Sequence, residues 1–111
     1  MYAMSMLGRS ALALLALSLA ATAYSADFMP PAIAALHTKA ENGNAIAQYN
    51  LGLAYAAGRG VAVDQAEAFV WLTLASEQGS TGRELGVLVS SMSPDVLAEG
   101  RRRLALERTE M

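Results

Sequence analysis

Few side chains in this sequence are of types that do chemistry, and their spacing limits what they can do. His37 is the single histidine and there is no cysteine, so neither a thiolate nucleophile nor a Cys/His metal set can be assembled. No acid motif surrounds His37, which reads as a solvent-facing helical histidine. Glu41, Asp64, Glu67 and Glu77 are candidate carboxylates for acid–base work. Helix caps, last-turn acids and a solvated face account for them more simply. Gly58-Arg59-Gly60 has two of the glycines of a phosphate loop. It follows a helical pattern instead of a strand, and no third glycine or lysine completes it. His-Glu-x-x-His, Gly-x-Ser-x-Gly and Ser-x-x-Lys are all absent. The run Arg101–Arg103 offers contacts to an acidic partner or anionic lipid. Three consecutive helical residues splay around the axis, so a solubilising face paired with Glu99 and Glu107 is the simpler reading.

With so little chemistry available, the elements that carry these residues become the subject. The 111 residues allow one domain at most. Arg9 and the amino terminus form a positive region ahead of the uncharged stretch 11–20, ALALLALSLA. That stretch has the length of a signal-peptide core and falls short of a comfortable membrane span. Ala21-Thr22-Ala23 supplies an A-x-A cleavage site, giving a signal peptide over residues 1–23 and Tyr24 as the new first residue. A cut after Ala26 is the alternative end, and it places bulky Tyr24 in a subsite that prefers small side chains. An uncleaved anchor is the competing reading, and the only route by which the sequence predicts membrane attachment. The expected location is periplasmic or secreted.

The 88 residues left after cleavage carry seven basic and ten acidic side chains, a net charge of −3. Residues 24–99 hold three basic and eight acidic groups, while the last twelve hold four basic and two acidic. An acidic body argues against nucleic acid as a partner, because phosphate neutralisation needs a basic face. Without disulfides, the core alone must hold the fold.

Proline and glycine punctuate the chain. Pro30-Pro31 opens a first helix that Gly43 closes. A second helix runs from Asn44 to Ala57 and ends at Gly58. Asp64 caps a third, with Glu67 placed to complete a capping box, and Gly79 stops it after Gln78. Ser80 or Thr81 can cap a fourth, weaker helix containing Gly82 and Gly86, and Ser93-Pro94 begins a fifth that reaches about Arg108. No segment alternates with period two, whereas Ala68, Trp71, Leu72 and Ala75 fall at i, i+3, i+4, i+7. A shift of 36 residues superposes Ala32 on Ala68, Leu36 on Leu72, Glu41 on Glu77 and Gly43 on Gly79. Such a period marks stacked helix pairs that cannot bury their apolar faces alone.

The stretch with Ala45, Ala47, Gln48, Leu51, Gly52, Ala54, Tyr55, Gly58, Gly60, Val61 and Asp64, continuing through Ala68, Trp71, Ala75, Gln78 and Gly79, resembles the Sel1-like repeat family. These are relatives of tetratricopeptide repeats. The resemblance covers one full repeat, and residues 93–106 look like the closing helix found after such repeats in bacterial proteins. It implies an all-α fold, a short right-handed α-solenoid of antiparallel helix pairs. It divides the chain into a signal peptide, a linker and N-terminal capping helix over 24–43, the repeat over 44–79, and a degenerate half repeat with a C-terminal capping helix over 80–111. The half repeat has Val87, Leu88 and Ser91 where the leucine-glycine-tyrosine pattern would fall. Ala47, Leu51 and Ala54 form a packing face, Gly52 permits a close helix crossing, and Tyr55 and Trp71 supply large buried areas. Gly58 and Gly60 shape the connection between the helices.

The implied function is protein–protein interaction as an adaptor or scaffold, with no catalysis and no cofactor or metal. The partner is an unidentified protein or peptide. Ile46, Tyr49 and Leu53, with Ala57, form a second apolar stripe on the second helix. They either line a groove for a peptide or partner helix or are covered by the first and last helices; solvent accessibility separates the two. A self-associating structural subunit is one rival. A cell-envelope enzyme of the penicillin-binding or β-lactamase-like kind is the other, and this chain lacks the cysteines of relatives described with such activity.

Overall fold

The computed structural model describes residues 29–80 and 82–111. The signal peptide expected over 1–23 or 1–26 and the linker through residue 28 lie outside the described residues, as does Thr81. Among the described residues the chain forms helices α1 (Pro31–Glu41), α2 (Ala45–Ala57), α3 (Gln65–Glu77), α4 (Glu84–Ser91) and α5 (Pro94–Glu110), with no strand. None of these helices is long and apolar enough to cross a membrane.

The helix starts follow from side chains that satisfy free N–H groups of the first turn. Asn44 Oδ1 accepts the Ala47 N–H at 2.9 Å, Asp64 Oδ1 accepts the Glu67 N–H at 3.1 Å, and Ser93 Oγ accepts the Val96 N–H at 3.2 Å. The capping box at Asp64 is only half formed. The Asp64 N–H donates to the Tyr55 carbonyl at 3.0 Å, and the Glu67 carboxylate turns to Arg103 instead. α4 departs from expectation: it starts after Arg83, without a side-chain cap, so Gly82 precedes the helix and Ser80 does not cap it. Ser80 instead completes the end of α3.

The period of 36 residues reappears in backbone geometry. After α1, Gly43 adopts φ 89°, the Gly43 N–H donates to Ala40 and the Asn44 N–H to Lys39. After α3, Gly79 adopts φ 87°, the Gly79 N–H donates to Ser76 and the Ser80 N–H to Ala75. Both ends are the same Schellman closure, which needs a left-handed residue after the cap and therefore favours glycine.

α3 is the centre of the structure. It packs against α2, α4 and α5, while α1 packs against α2. Two glycines let partners approach it closely. A Cβ on Gly52 would stand 2.7 Å from Leu72 Cγ, and a Cβ on Gly100 would stand 2.8 Å from Phe69 Cδ1. The main core gathers Ile33, Ala40, Ala47, Leu51, Ala54, Val70, Trp71, Leu74 and Leu104 from four helices. A second cluster joins Ala68, Leu72 and Leu88, with Tyr49, Leu53 and Phe69 packed on it. The Trp71 side chain is fully buried; truncating such a residue to alanine typically costs about 3–5 kcal/mol.

Candidate functional site

Two places in the fold bring polar groups together, and a third combines apolar surface with charge. The first is centred on His37. Its Nδ1 lies 3.1 Å from Glu41 Oε1, and its Nε2 lies 3.5 Å from the Tyr55 hydroxyl. The imidazole stands edge-on to Trp71 with ring centroids 5.4 Å apart. His37 is therefore half-buried and not solvent-facing as its sequence context suggests, because α1 lays it across the indole that α3 presents. A carboxylate–imidazole–hydroxyl string has the outline of a proton relay, but its terminal hydroxyl is tuned the wrong way. Burial pushes the Tyr55 hydroxyl pKa up, and Glu67 and Asp64 push it further, so the phenol is held neutral and is a poor nucleophile or base.

The second place is the start of α3. Arg103 on α5 donates from Nη1 to Asp64 Oδ2 at 2.9 Å and to Glu67 Oε2 at 3.1 Å, and from Nε to Glu99 Oε1 at 2.9 Å. Desolvation raises the Asp64 carboxyl, but the Arg103 hydrogen bond and the Glu67 N–H outweigh it, leaving the group below the usual carboxylate range. The Asp64 hydrogen bond in turn raises the Arg103 guanidinium. Arg102 pairs with Glu99 and Arg108 with Glu77. Within the arginine run the expected pairing with Glu99 forms, and Arg103 alone also ties α5 to the start of α3, while no arginine pairs with Glu107 among the described residues. Glu107 sits partly desolvated and also feels Glu110, Glu41 and Glu67, which together raise its pKa against a smaller lowering by His37. No group of three or more His, Asp or Glu among the described residues is placed to hold a metal ion.

The third place is an open groove of about 490 Å³ between α2 and α4. Leu53, Ala56 and Ala57 line it from α2, and Val87, Leu88 and Ser91 from α4. Its polar rim includes Arg59 and Gln65 at one side and Arg83 and Glu84 at the other. Leu88 is buried as part of the floor, while Val87 is 66% exposed at the surface.

The second apolar stripe is divided among different surroundings. Leu53 lines the α2–α4 groove. Tyr49 faces a small cleft with Leu72, Ser76 and Leu85, and its hydroxyl pKa is raised chiefly by a hydrogen bond to Glu84. Ile46 is 71% exposed and lies with Leu36, Lys39 and Asn50 on the α1 side. The three therefore do not line one groove, each facing different neighbours. Among the positions with structural roles, Ala47, Leu51, Gly52, Ala54, Ala68, Trp71 and Ala75 are buried. Gly58, Gly60 and Gly79 have positive φ, and Asp64 caps α3. Tyr55 is only partly buried, since its hydroxyl reaches the polar edge at His37.

The roles of four residues escape a reading of the sequence alone. Gln48 is fully buried, with Nε2 donating to the Ala40 carbonyl at 3.1 Å and Oε1 accepting from Gln78 Nε2 at 2.7 Å. Its signals are its place in the repeat pattern and its polarity within an apolar helix, and neither names its partners. Gly100 is legible only as a glycine inside a helix. Arg83 and Val87 carry no signal beyond residue type.

Compared with known proteins, residues 45–80 match the family model of the Sel1 repeat. No curated protein and no solved structure matches the chain. The matched stretch contains α2, the connection and α3; of these, α2 forms one wall of the groove, and Arg59 and Gln65 part of its rim.

Proposed function

We infer that this chain, which carries a Sel1 repeat over residues 45–80, is an adaptor that docks another protein in the groove between α2 and α4. The Sel1 repeat is a protein-interaction repeat, and one observation carries the placement. The groove joins a buried apolar floor to an exposed valine and a charged rim, the composition of a recognition surface. Docking there is shape-complementary and makes or breaks no covalent bond. Support for a non-catalytic role comes from the use of the charged groups: Arg103, oriented by Glu99 on its own helix, ties α5 to Asp64 and Glu67 at the start of α3. The helix pairs represent a short right-handed solenoid turn closed by α5.

The adaptor works outside the cytoplasm, in the periplasm of a two-membraned host or secreted. The charged start, apolar core and A-x-A site of residues 1–23 support this. The test is a photo-crosslinking residue at position 87, with position 105 on exposed α5 as control. An adaptor gives a discrete heteromeric adduct from 87 and none from 105. A doubled-mass adduct from 87 replaces this reading with self-association, and no adduct from 87 overturns it. Mass spectrometry of the envelope-fraction protein should find Tyr24, or Asp27 after the later cut, at the amino terminus; an intact chain in the cytosol overturns export.

A further inference from the structure

The α2–α4 groove has a charge pattern that specifies its occupant more narrowly than an unspecified partner. Two contacts fix how α4 lies. Tyr49, midway along α2, shares a small cleft with Gly82 and Leu85 at the start of α4. At the other end, Gln65 Nε2, at the start of α3, donates to Ser91 Oγ at 3.3 Å. The start of α4 therefore lies beside the middle of α2, and its end lies beside the α2–α3 connection that carries Arg59. Arg83 stands at one end of the groove and Arg59 at the other, with Leu53, Ala56, Val87 and Leu88 between them.

These two arginines differ from three of the four on α5, Arg101 being unpaired among the described residues as well. Arg102, Arg103 and Arg108 each pair with a carboxylate, whereas Arg59 and Arg83 form no ion pair among the described residues. Glu84, the acid on the rim beside Arg83, has its carboxyl held below the ordinary range by Tyr49, by its own backbone N–H and by the Arg83 charge. In a chain whose body is acidic, the groove thus presents two available cations at the ends of an apolar floor.

We propose that this groove binds an extended acidic peptide segment in which two carboxylates bracket an apolar side chain. The inference rests on the adaptor reading above. α4 has eight residues, a length of about 12 Å. An extended chain advances about 3.3 Å per residue, so the two carboxylates sit about four residues apart. The apolar residue midway between them meets Val87 and Leu53. Carboxylates pair with guanidinium groups in bidentate geometry, which gives direction and register to an otherwise apolar contact.

Fluorescence anisotropy with a labelled, end-capped peptide Ser-Gly-Glu-Ala-Leu-Ala-Glu-Gly-Ser tests this on the purified protein. Three controls accompany it: the same peptide with lysine for both glutamates, the same with serine for leucine, and the charge reversals Arg59→Glu and Arg83→Glu. Both arginines are exposed, and circular dichroism verifies that the variants fold. The expected result is binding that weakens roughly tenfold with each reversal or with the lysine peptide, and that shifts to the lysine peptide in the double reversal. Equal binding of acidic and lysine peptides, or no effect of the reversals, overturns the proposal. Failure of the acidic peptide to bind at millimolar concentration also overturns it. If position 87 still crosslinks a partner in that case, the adaptor reading stands and only the charge assignment falls. A doubled-mass adduct instead makes a second copy the occupant.

Discussion

Asp64 serves two helices with one carboxylate: Oδ1 accepts the Glu67 N–H at 3.1 Å at the start of α3, and Oδ2 receives Arg103 Nη1 from α5 at 2.9 Å. The two roles separate by substitution. Asp64→Asn keeps a cap oxygen and loses the ion pair; Asp64→Ala loses both. A lost N-cap costs about 1 kcal/mol, and an ion pair whose partners are each more than a third exposed contributes about 0.5 kcal/mol after solvent screening. Urea denaturation should therefore place Asp64→Ala at about 1.5 kcal/mol below the parent and Asp64→Asn nearer the parent. Equal losses in the two variants would mean that Asp64 matters through Arg103 alone.

The same pair sets an acid limit. The Asp64 carboxyl is depressed in the folded state relative to its ordinary value of 3.8, so its stabilisation is present above that value. It is lost as pH falls through the folded value, where the unfolded chain already holds the proton. Glu107 behaves oppositely. Burial and Glu110 raise its carboxyl above the ordinary value of 4.5. Its relative stabilisation is therefore full below 4.5 and disappears as pH rises through the folded value, leaving a strained carboxylate at neutral pH. Glu107→Gln should raise the melting temperature at pH 7 and leave it nearly unchanged in acid. A gain of equal size at both pH values would remove the electrostatic explanation.

The signals that the sequence displays openly are those satisfied within a few residues of where they occur. Asn44, Asp64 and Ser93 each cap their own helix, and Gly43 and Gly79 close theirs with the same backbone turn. The burial of Ala47, Leu51 and Ala54 follows from helical spacing on one face. Features made by distant segments are not legible in this way. α4 has no side-chain cap to mark its start, and Ile46, Tyr49 and Leu53 end in separate surroundings once it packs. His37 leaves solvent only because Trp71 lies beneath it. Arg59 and Arg83 become ends of one groove only when α4 is laid beside α2.

Gln48 illustrates the distant kind and yields a prediction of its own. Its amide is fully buried and joins the Ala40 carbonyl at the end of α1 to Gln78 at the end of α3. Gln48→Leu keeps approximate volume but leaves a buried carbonyl without its donor, which costs about 1–3 kcal/mol. Gln78→Ala removes only the outer, solvent-facing partner and should cost less. Chemical denaturation of the two variants checks the order. A Gln48→Leu variant as stable as the parent would show that the amide bridge contributes no net stability.

Gly52 and Gly86 are both helical glycines, yet alanine should act on them in opposite directions. Intrinsic propensity alone favours alanine by up to about 1 kcal/mol at either position. At Gly86 nothing lies within 4 Å of the added Cβ, so that gain is available and the variant should melt higher. At Gly52 the Cβ would meet Leu72 Cγ at 2.7 Å, Leu72 Cδ2 at 2.9 Å and the Leu72 backbone nitrogen at 3.1 Å. Leu72 is itself buried against Ala68 and Leu88, so its side chain has little room to yield, and the backbone contact cannot be relieved by a rotamer change. Overpacking of this kind costs about 1–3 kcal/mol, which exceeds the propensity gain and makes Gly52→Ala destabilising. Separation of α2 from α3 would also widen the floor of the α2–α4 groove at Leu53, so peptide affinity should fall in Gly52→Ala and hold in Gly86→Ala. Thermal melts and anisotropy on the same two variants measure both effects; a stabilised Gly52→Ala would mean that the α2–α3 crossing is not close.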